Sequence, residues 1–251
     1  MTGTAEAASG WLAVAGLGPG GAGMVTPEVS AALAGATDIV GYAPYVARVP
    51  ERAGLVLHAS DNRVELERAR HALSLAAAGR RVVVVSSGDP GVFAMASALF
   101  EALETGPPDW AGLDIRILPG ITAMLAAAAA AGAPLGHDFC AINLSDNLKP
   151  FDLVLKRIRL AVEGDFAMAF YNPRSRARAG QFAQVLDLLR ESCPPGRLVV
   201  FARAVSTPDQ DIRITTLADA CPDMADMRTI VLVGSSRTRR AGRFVYTPRS
   251  A

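Results

Sequence analysis

The sequence predicts an α/β protein with a parallel sheet in its first half and a mixed sheet in its second half. Three observations support this prediction. Strand and helix patterns alternate along the 251 residues, the run Val82–Val85 is β-branched throughout, and only a short turn separates the strand patterns 198–203 and 211–216. A continuous β-branched run is typical of a strand covered on both faces, as in parallel sheets. So short a turn permits only antiparallel pairing.

The first half opens with a strand pattern around residues 12–15 that leads into glycines. Thr26, Pro27 and Glu28 then supply an N-cap, a first-turn proline and an early acidic residue, which predict a helix that ends near Gly35. The pattern predicts the remaining elements of this half as strands over 38–42, 82–85 and 115–118 and helices over 64–78, 91–104 and 121–132.

The segment 133–136, with the sequence Ala-Pro-Leu-Gly, is typical of a junction between domains. The length suits either one large α/β unit or two domains of about 120 residues each. We expect an N-terminal domain over 11–134 and a C-terminal domain over 135–247. The second half is predicted to contain strands near 139–144, 166–171, 198–203, 211–216 and 229–233 and helices near 151–162 and 178–191.

Composition narrows the class of protein. The net charge is +1 and only 6% of the residues are aromatic, which argues against a nucleic-acid-binding protein built on base stacking. The longest apolar stretch, 121–133, is shorter than the roughly 20 residues that span a bilayer, and residues 1–10 lack the features of a signal peptide. Cys140, Cys193 and Cys221 are too widely separated for a zinc or disulfide framework. We therefore expect a cytoplasmic protein with reduced thiols and no bound metal.

Three predicted strands each run into a Gly/Pro turn that opens a helix. The turns lie at Gly16–Gly20, Ser87–Gly91 and Pro119–Ala123. The carboxyl ends of parallel strands meet at one edge of the sheet, and glycines there let the backbone approach a ligand closely. The sequence therefore predicts a small-molecule site at this edge.

The segment Gly16–Gly21 also fits the dinucleotide fingerprint G-x-G-x-x-G directly after a strand. Three features argue against a nicotinamide dinucleotide. Pro19 has no N–H to offer to a pyrophosphate. The helix begins at Thr26 rather than at the glycines. Asp38 precedes the second strand, whereas the ribose hydroxyl would lie beyond the carboxyl end of that strand.

Asp89 follows the strand 82–85 and stands between Gly88 and Pro90. A carboxylate at that place suits a hydroxyl pair or a cation rather than a phosphate. It suits equally well the N-cap of a helix that begins at Pro90, and Thr122 has a similar capping alternative. The residues alone leave both interpretations open.

Taken together, the motifs occur in the order found in one known family. The chain resembles the tetrapyrrole (corrin/porphyrin) methylases over residues 11–247, through the segments 16–20, 87–93, 119–123, 207–210 and 229–234. Within that family, the segments 144–147 and 170–175 resemble the branch that methylates C17 of precorrin-3B in cobalamin biosynthesis.

The resemblance implies a homodimer of two-domain subunits. S-adenosylmethionine would lie in the cleft between the parallel and the mixed sheet and leave as S-adenosylhomocysteine. The implied cofactor contacts are Pro19, Ser87, Gly88, Asp89, Thr122 and Ala123 in the tighter motifs and, on the adenine side, Tyr171, Val205 and Thr229.

The implied substrate is a macrocycle edged with acetate and propionate carboxylates, which arginine forks bind well. Arg174 and Arg176 are the candidates. The family reaction also contracts the ring, and Asp146 is the candidate for the proton transfer this requires. Its alternative is a turn or N-cap aspartate before Pro150.

The sulfonium of S-adenosylmethionine is itself the activated electrophile, so the protein needs no nucleophile of its own. This agrees with His58, His71 and His137, which the sequence presents as isolated, ordinary histidines.

Five alternatives remain. Relatives with the same fold methylate another ring position, or act on diphthamide intermediates or on ribosomal RNA, although the near-neutral charge argues against RNA. Two of the alternatives belong to other classes of protein, namely a nicotinamide oxidoreductase and a non-catalytic scaffold.

Overall fold

The computed structural model describes residues 10–175 and 178–250. Contacts within the chain divide it into two units, the first ending at Thr122 and the second beginning at Ala123. The sequence pattern placed the junction later, at 133–136. The helix after Ala123 packs against the second sheet through its alanines, so its contacts assign it to the second unit.

Among its described residues, from 10 to 122, the first unit contains five strands and four α-helices. The strands are β1 (Trp11–Gly16), β2 (Asp38–Tyr42), β3 (Val56–Ser60), β4 (Arg81–Ser86) and β5 (Asp114–Leu118), and the helices are α1 (Pro27–Gly35), α2 (Ala43–Val46), α3 (Glu65–Ala77) and α4 (Met95–Glu104). All five strands are parallel, in the order β3-β2-β4-β1-β5. The parallel sheet predicted for the first half is confirmed.

Strands β1 and β4 are buried on both faces. Val82 and Val84 pack with α3 and α4, whereas Val83 and Val85 pack with α1 and α2. All four valines are completely shielded from solvent, as their β-branched run predicts. This burial fixes the register of the strands whose carboxyl ends carry the glycine turns.

The part of the second unit that the structure describes contains three further α-helices and eight strands. The helices are α5 (Ala123–Ala131), α6 (Phe151–Glu163) and α7 (Gln181–Ser192), and the strands are β6 (Gly132–Ala133), β7 (Phe139–Asn143), β8 (Ala167–Tyr171), β9 (Leu198–Arg203), β10 (Asp211–Thr216), β11 (Thr229–Val233), β12 (Arg239–Ala241) and β13 (Phe244–Tyr246).

The main sheet of the second unit is mixed, as predicted. Its order is β10-β9-β11-β8-β7, and only the β7–β8 pair is parallel. Large side chains such as Phe170, Phe182 and Leu186 fill the face under α6 and α7. Alanines of α5 fill the other face, where small side chains bring the helix close to the strands. A small separate sheet joins β12, β13 and β6.

Several short elements escaped the sequence analysis. Helix α2 has four residues, and β3, β6, β12 and β13 have two to five. The side chains of β3 alternate only between exposed and half-buried because it is an edge strand, so it lacks the apolar pattern that reveals a buried strand. No helix among the described residues is long and apolar enough to cross a bilayer.

A buried polar cluster at the amino edge of the first sheet corrects the interpretation of the histidines. Asp38 is 2% exposed and lies 2.9 Å from His58 Nε2, while Arg80 Nε donates to it at 2.7 Å. His71 Nε2 lies 3.1 Å from His58 Nδ1. His58 and His71 are therefore not isolated. The cluster also gives Asp38 a structural role. Asp38 lies at the start of β2, and this position is one of the features that argue against a ribose contact.

We expect Asp38→Asn to destabilise the protein by about 2 kcal/mol at neutral pH. Burial raises the pKa of this carboxyl, but hydrogen bonds from Arg80, Thr37 and His58 outweigh it and hold the pKa below its ordinary 3.8. A lowered folded pKa gives stability that is present above the unfolded pKa and lost as pH falls through the folded value. Urea unfolding of both proteins should show the difference shrinking below pH of about 4. Asp114→Asn, which alters an exposed carboxylate, is the control, and a difference that stays constant with pH would contradict the assignment.

Candidate functional site

The Gly/Pro turns after β1, β4 and β5 lie side by side at the carboxyl edge of the first sheet. Strand β1 is central, with β4 and β5 as its two neighbours. Leu17 N donates to Ser86 O at 2.8 Å, and Gly18 and Gly88 exchange two backbone hydrogen bonds of 3.0 and 3.2 Å. The first two turns are thus joined by their backbones.

The glycines at this edge are required by the contact between the turns. A Cβ on Gly16 would lie 2.5 Å from Gly88 O, and one on Gly120 would lie still closer to the same oxygen. Gly18 has φ +66°, which favours glycine for a second reason. The glycines do allow a close approach of the backbone, as predicted. At these positions, however, one turn approaches another turn rather than a ligand.

Asp89 links the second turn to the third. Its Oδ1 accepts from Gly91 N at 2.8 Å and its Oδ2 accepts from Gly120 N at 3.0 Å. Helix α4 begins at Met95, so the alternative of an N-cap for a helix at Pro90 is wrong. A carboxylate has about four acceptor sites, so two remain for other partners. Ser87, two residues before Asp89, is half-buried and Gly88 is buried, while Pro19 in the first turn is half-buried.

Thr122 and Ala123 lie at the division between the two units. Thr122 is buried at 5% exposure and directly precedes α5, while half-buried Ala123 is the first residue of that helix. The position of Thr122 suits the capping alternative as well as a ligand contact.

Arg48 supports the first turn, and the sequence analysis missed it. The residue lies just after α2, and its guanidinium donates to the carbonyls of Leu17, Gly18 and Gly20. No local motif signals this contact because the two segments are about 30 residues apart and meet only through the sheet.

The second unit gathers three predicted residues at one edge of its mixed sheet. Tyr171 ends β8, Val205 follows β9, and Thr229 begins β11, which runs antiparallel to both. Tyr171 Oη accepts from Met124 N at 3.2 Å. Val205 and Thr229 are each 5% exposed.

The backbone at this second edge holds unusual conformations. Asn172, Ala204 and Ser206 have φ of 52°, 47° and 64°, in the left-handed region that costs a residue with a Cβ about 1–2 kcal/mol. Such residues cluster at functional sites, where surrounding contacts hold them in place.

Asp226 organises the start of β11. It accepts from Thr229 Oγ1 at 2.7 Å and from Arg203 Nε at 2.7 Å. Burial raises the pKa of Asp226, but hydrogen bonds from Thr229, Arg203 and the Arg228 backbone outweigh it and leave the pKa low. The carboxylate is therefore ionised at neutral pH and holds Thr229 in place.

Two further candidate residues, Arg174 and Asp146, lie in loops at the same edge. Arg174 pairs with Asp223 at 2.8 Å, and Arg176 lies outside the described residues. Asp146, in the loop after β7, accepts from Gln181 Nε2 at 2.6 Å and lies 3.9 Å from Arg178 Nε. Pro150, not Asp146, occupies the N-cap of α6, so the N-cap alternative for Asp146 is wrong.

The donor set of the first edge fits a ligand without phosphates. Its turns present a carboxylate at Asp89 and no N–H at Pro19, while the nearest guanidinium, that of Arg48, is occupied by backbone carbonyls. A pyrophosphate needs donors and would be repelled by the carboxylate. Among the described residues, no group of three histidine, cysteine or acidic side chains could hold a metal ion.

Comparison with known proteins finds a matching family and several similar proteins. Residues 12–221 match the family Tetrapyrrole (Corrin/Porphyrin) Methylases. A precorrin-3B C(17)-methyltransferase of Sinorhizobium sp is 50% identical over 96% of this chain and 97% of its own length. A probable cobalt-factor III C(17)-methyltransferase of Salmonella typhimurium is 40% identical over 95% of this chain and 98% of its own length.

Solved structures agree. The crystal structure of the methyltransferase CobJ is 73% identical, with a TM-score of 0.94 over 96% of this chain and all of that one. A uroporphyrin-III C-methyltransferase from Thermus thermophilus, complexed with S-adenosyl homocysteine, shares the fold at a TM-score of 0.68 and 21% identity, over 90% of this chain and 97% of that one.

We expect Gly120→Ala to lower the free energy of unfolding by about 3 kcal/mol because its Cβ would collide with backbone atoms that have no room to move. Gly23→Ala is the matched control, since a Cβ there meets nothing within 4 Å. Urea unfolding measures both. Equal stability of the two variants would show that the turns can separate without cost.

Proposed function

Since the chain belongs to the tetrapyrrole (corrin/porphyrin) methylases, we propose that it methylates C17 of precorrin-3B, with contraction of the ring to precorrin-4, in cobalamin biosynthesis. The single observation that carries this proposal is the 50% identity to a precorrin-3B C(17)-methyltransferase over nearly the full length of both proteins. The chain is an enzyme, a methyltransferase. A nicotinamide oxidoreductase and a non-catalytic scaffold are thereby set aside.

We propose S-adenosylmethionine as cofactor. The phosphate-free donor set of the first edge supports this, because the cofactor is a nucleoside with an amino-acid arm and no phosphate. The proposed contacts in the first unit are Pro19, Ser87, Gly88, Asp89 and Thr122. Asp89 has free acceptor sites for the hydroxyl and ammonium groups of such a ligand, and its two backbone hydrogen bonds hold the carboxylate still.

In the second unit the proposed contacts are Ala123, Tyr171, Val205 and Thr229. Three of them lie at the strand ends that form one edge of the mixed sheet. The fixed positions of Thr229, through Asp226, and of Tyr171, through Met124 N, suit recognition of a flat base by a rigid surface.

The bound cofactor would supply a methyl group already activated on a sulfonium. What remains for the protein is to hold a ring carbon of the substrate in line with that methyl group and to keep water away. This explains why the described residues need no nucleophile at the glycine turns.

Arg174 and Arg176 are proposed to bind carboxylates of the tetrapyrrole. Arg174 already carries a carboxylate partner, Asp223, which is itself 81% exposed. An exposed pair of this kind is worth less than about 1 kcal/mol, so a substrate carboxylate can replace Asp223 at little cost.

A second candidate substrate is cobalt-factor III, the cobalt-containing counterpart. The 40% identity to the Salmonella typhimurium protein over the full length favours it. The assay below separates the two.

We further propose a homodimer in the cytoplasm. Exposed apolar side chains in the first unit, among them Phe93, Phe100 and Ile117, are the kind of surface that a second copy covers, and the molar mass in solution tests this. The described thiols of Cys140, Cys193 and Cys221 are all free, as expected for a reducing compartment.

The function is tested by incubating the purified protein with methyl-labelled S-adenosylmethionine and precorrin-3B. We expect one label per tetrapyrrole, a contracted ring by mass and absorption spectrum, and S-adenosylhomocysteine as the second product. Cobalt-factor III is assayed in parallel, and a preference for it would select the second candidate. Transfer to uroporphyrinogen III instead, or displacement of S-adenosylhomocysteine by NADH, would overturn the proposal.

We propose Asp146 as the residue that moves a proton during ring contraction. Gln181 holds one oxygen of its carboxylate, and the carboxyl group remains 36% exposed and so reachable by a substrate. Asp146→Asn should lower kcat about 100-fold, the usual worth of a positioned general acid or base, and leave the affinity for S-adenosylhomocysteine unchanged.

Asp187→Asn is the control for this variant, because Asp187 is an exposed carboxylate paired only with Arg190 within α7. Steady-state kinetics and calorimetric titration provide the two readouts. An unchanged kcat in the Asp146→Asn protein would show that this residue does not transfer the proton.

A further inference from the structure

One arginine holds the whole turn after β1. Arg48 is half-buried. Its NH1 donates to Gly18 O at 3.1 Å, and its NH2 donates to Leu17 O at 2.5 Å and to Gly20 O at 3.1 Å. Three peptide carbonyls within four residues therefore converge on a single guanidinium, and Pro19 lies in the middle of that segment.

Backbone contacts with the second turn fix Leu17 and Gly18, but little among the described residues fixes the part of the turn beyond them. Gly16, Gly18, Gly20 and Gly21 leave the backbone unusually free, and Pro19 has no N–H for a hydrogen bond. The backbone bonds to Ser86 and Gly88 involve only Leu17 and Gly18. Arg48 adds a hydrogen bond to the carbonyl of Gly20, on the far side of the proline.

The chemistry of the contact requires arginine. A guanidinium presents five donors in a rigid planar fork, whereas an ammonium is a compact point charge on a flexible stem. Burial lowers the pKa of Arg48, but an arginine side chain stays protonated in proteins, so all its donors persist at working pH.

We infer that Arg48 is a positioning residue, which holds the Gly18–Gly20 turn in the form that binds the cofactor without touching the cofactor itself. The inference rests on the proposed function, since it assigns Pro19 to the cofactor site. Because the turn is already ordered, cofactor binding does not have to offset the entropy lost when a glycine-rich segment becomes ordered.

Arg52 offers a matched control in the same part of the chain. Its NH2 donates to the carbonyls of Leu33 and Ala36 at 3.1 and 2.5 Å. These carbonyls lie at the end of α1, next to the start of β2, and hence at the amino edge of the sheet. Arg52 thus makes the same kind of bond at the edge that lacks the glycine turns.

The test compares Arg48→Lys, Arg48→Met and Arg52→Met by titration with S-adenosylhomocysteine. We expect both Arg48 variants to bind at least about tenfold more weakly, the loss of one or more charged hydrogen bonds, with KM for S-adenosylmethionine raised and kcat at saturation nearly unchanged. Arg52→Met should unfold at a lower urea concentration and keep its affinity.

Chemical rescue gives a readout that a merely structural role would not move. Millimolar guanidinium should restore part of the affinity of Arg48→Ala, while sodium chloride at the same ionic strength should not. If Arg48→Met does not fold, Arg48→Lys, which keeps the stem and the charge, decides the question.

Two results would overturn the inference, and they differ. Wild-type affinity in folded Arg48 variants would refute the positioning role and leave the proposed function intact. A wild-type protein that does not bind S-adenosylhomocysteine would refute the proposed function and the positioning role with it.

Discussion

Direct packing of backbone on backbone between three turns is the constraint on which the first edge depends. Gly16, Gly88 and Gly120 meet so closely that a single Cβ would collide with a carbonyl or an amide of the next turn. That contact is possible only because β1, β4 and β5 are adjacent and in register, which their buried valines, alanines and leucines ensure. Core packing thus determines how far apart the turns lie, and the glycines let them touch.

Polar side chains then tie down what the core has brought together. Asp89 accepts from one turn and from its neighbour, and Arg48 donates to three carbonyls of a single turn. Arg190 binds carbonyls in a similar way in the second unit, at Leu217 and Ala220. Many arginines of this chain therefore serve its own backbone rather than a polyanionic partner, which agrees with the net charge of +1.

The sequence revealed elements wherever burial or capping leaves a local pattern. Thr26 and Pro27 gave the start of α1, with Thr26 accepting from Val29 N, and β2, β9, β10 and β11 begin and end where predicted. It failed where contacts are distant. The edge strand β3 is half-exposed, and α4 starts late because the turn around Asp89 extends to Ala94. The contacts of Arg48 with the first turn and of His58 with Asp38 join segments 20 or more residues apart. The sequence predicts the glycine turns because glycine, proline and aspartate mark turns locally, whereas Arg48, which holds the first turn from a distant segment, carries no such mark.

The two candidate edges accommodate left-handed backbone conformations in different ways. At the contact between the first two turns the left-handed positions are filled by Gly18 and Gly88, for which they carry no steric cost. At the second edge the left-handed region is occupied by Asn172, Ala204 and Ser206, at about 1–2 kcal/mol for the alanine and the serine. Side-chain and backbone bonds offset part of this cost, since Asn172 Nδ2 donates to Asn143 Oδ1, Ala204 N donates to Arg228 O, and Ser206 N donates to Gln210 Oε1. Asn172 ties the β8 loop to the β7 loop through its own amide, a bond that glycine could not make. Backbone and side-chain hydrogen bonds therefore hold the left-handed residues of the second edge, while the first edge uses glycines that permit its turns to touch.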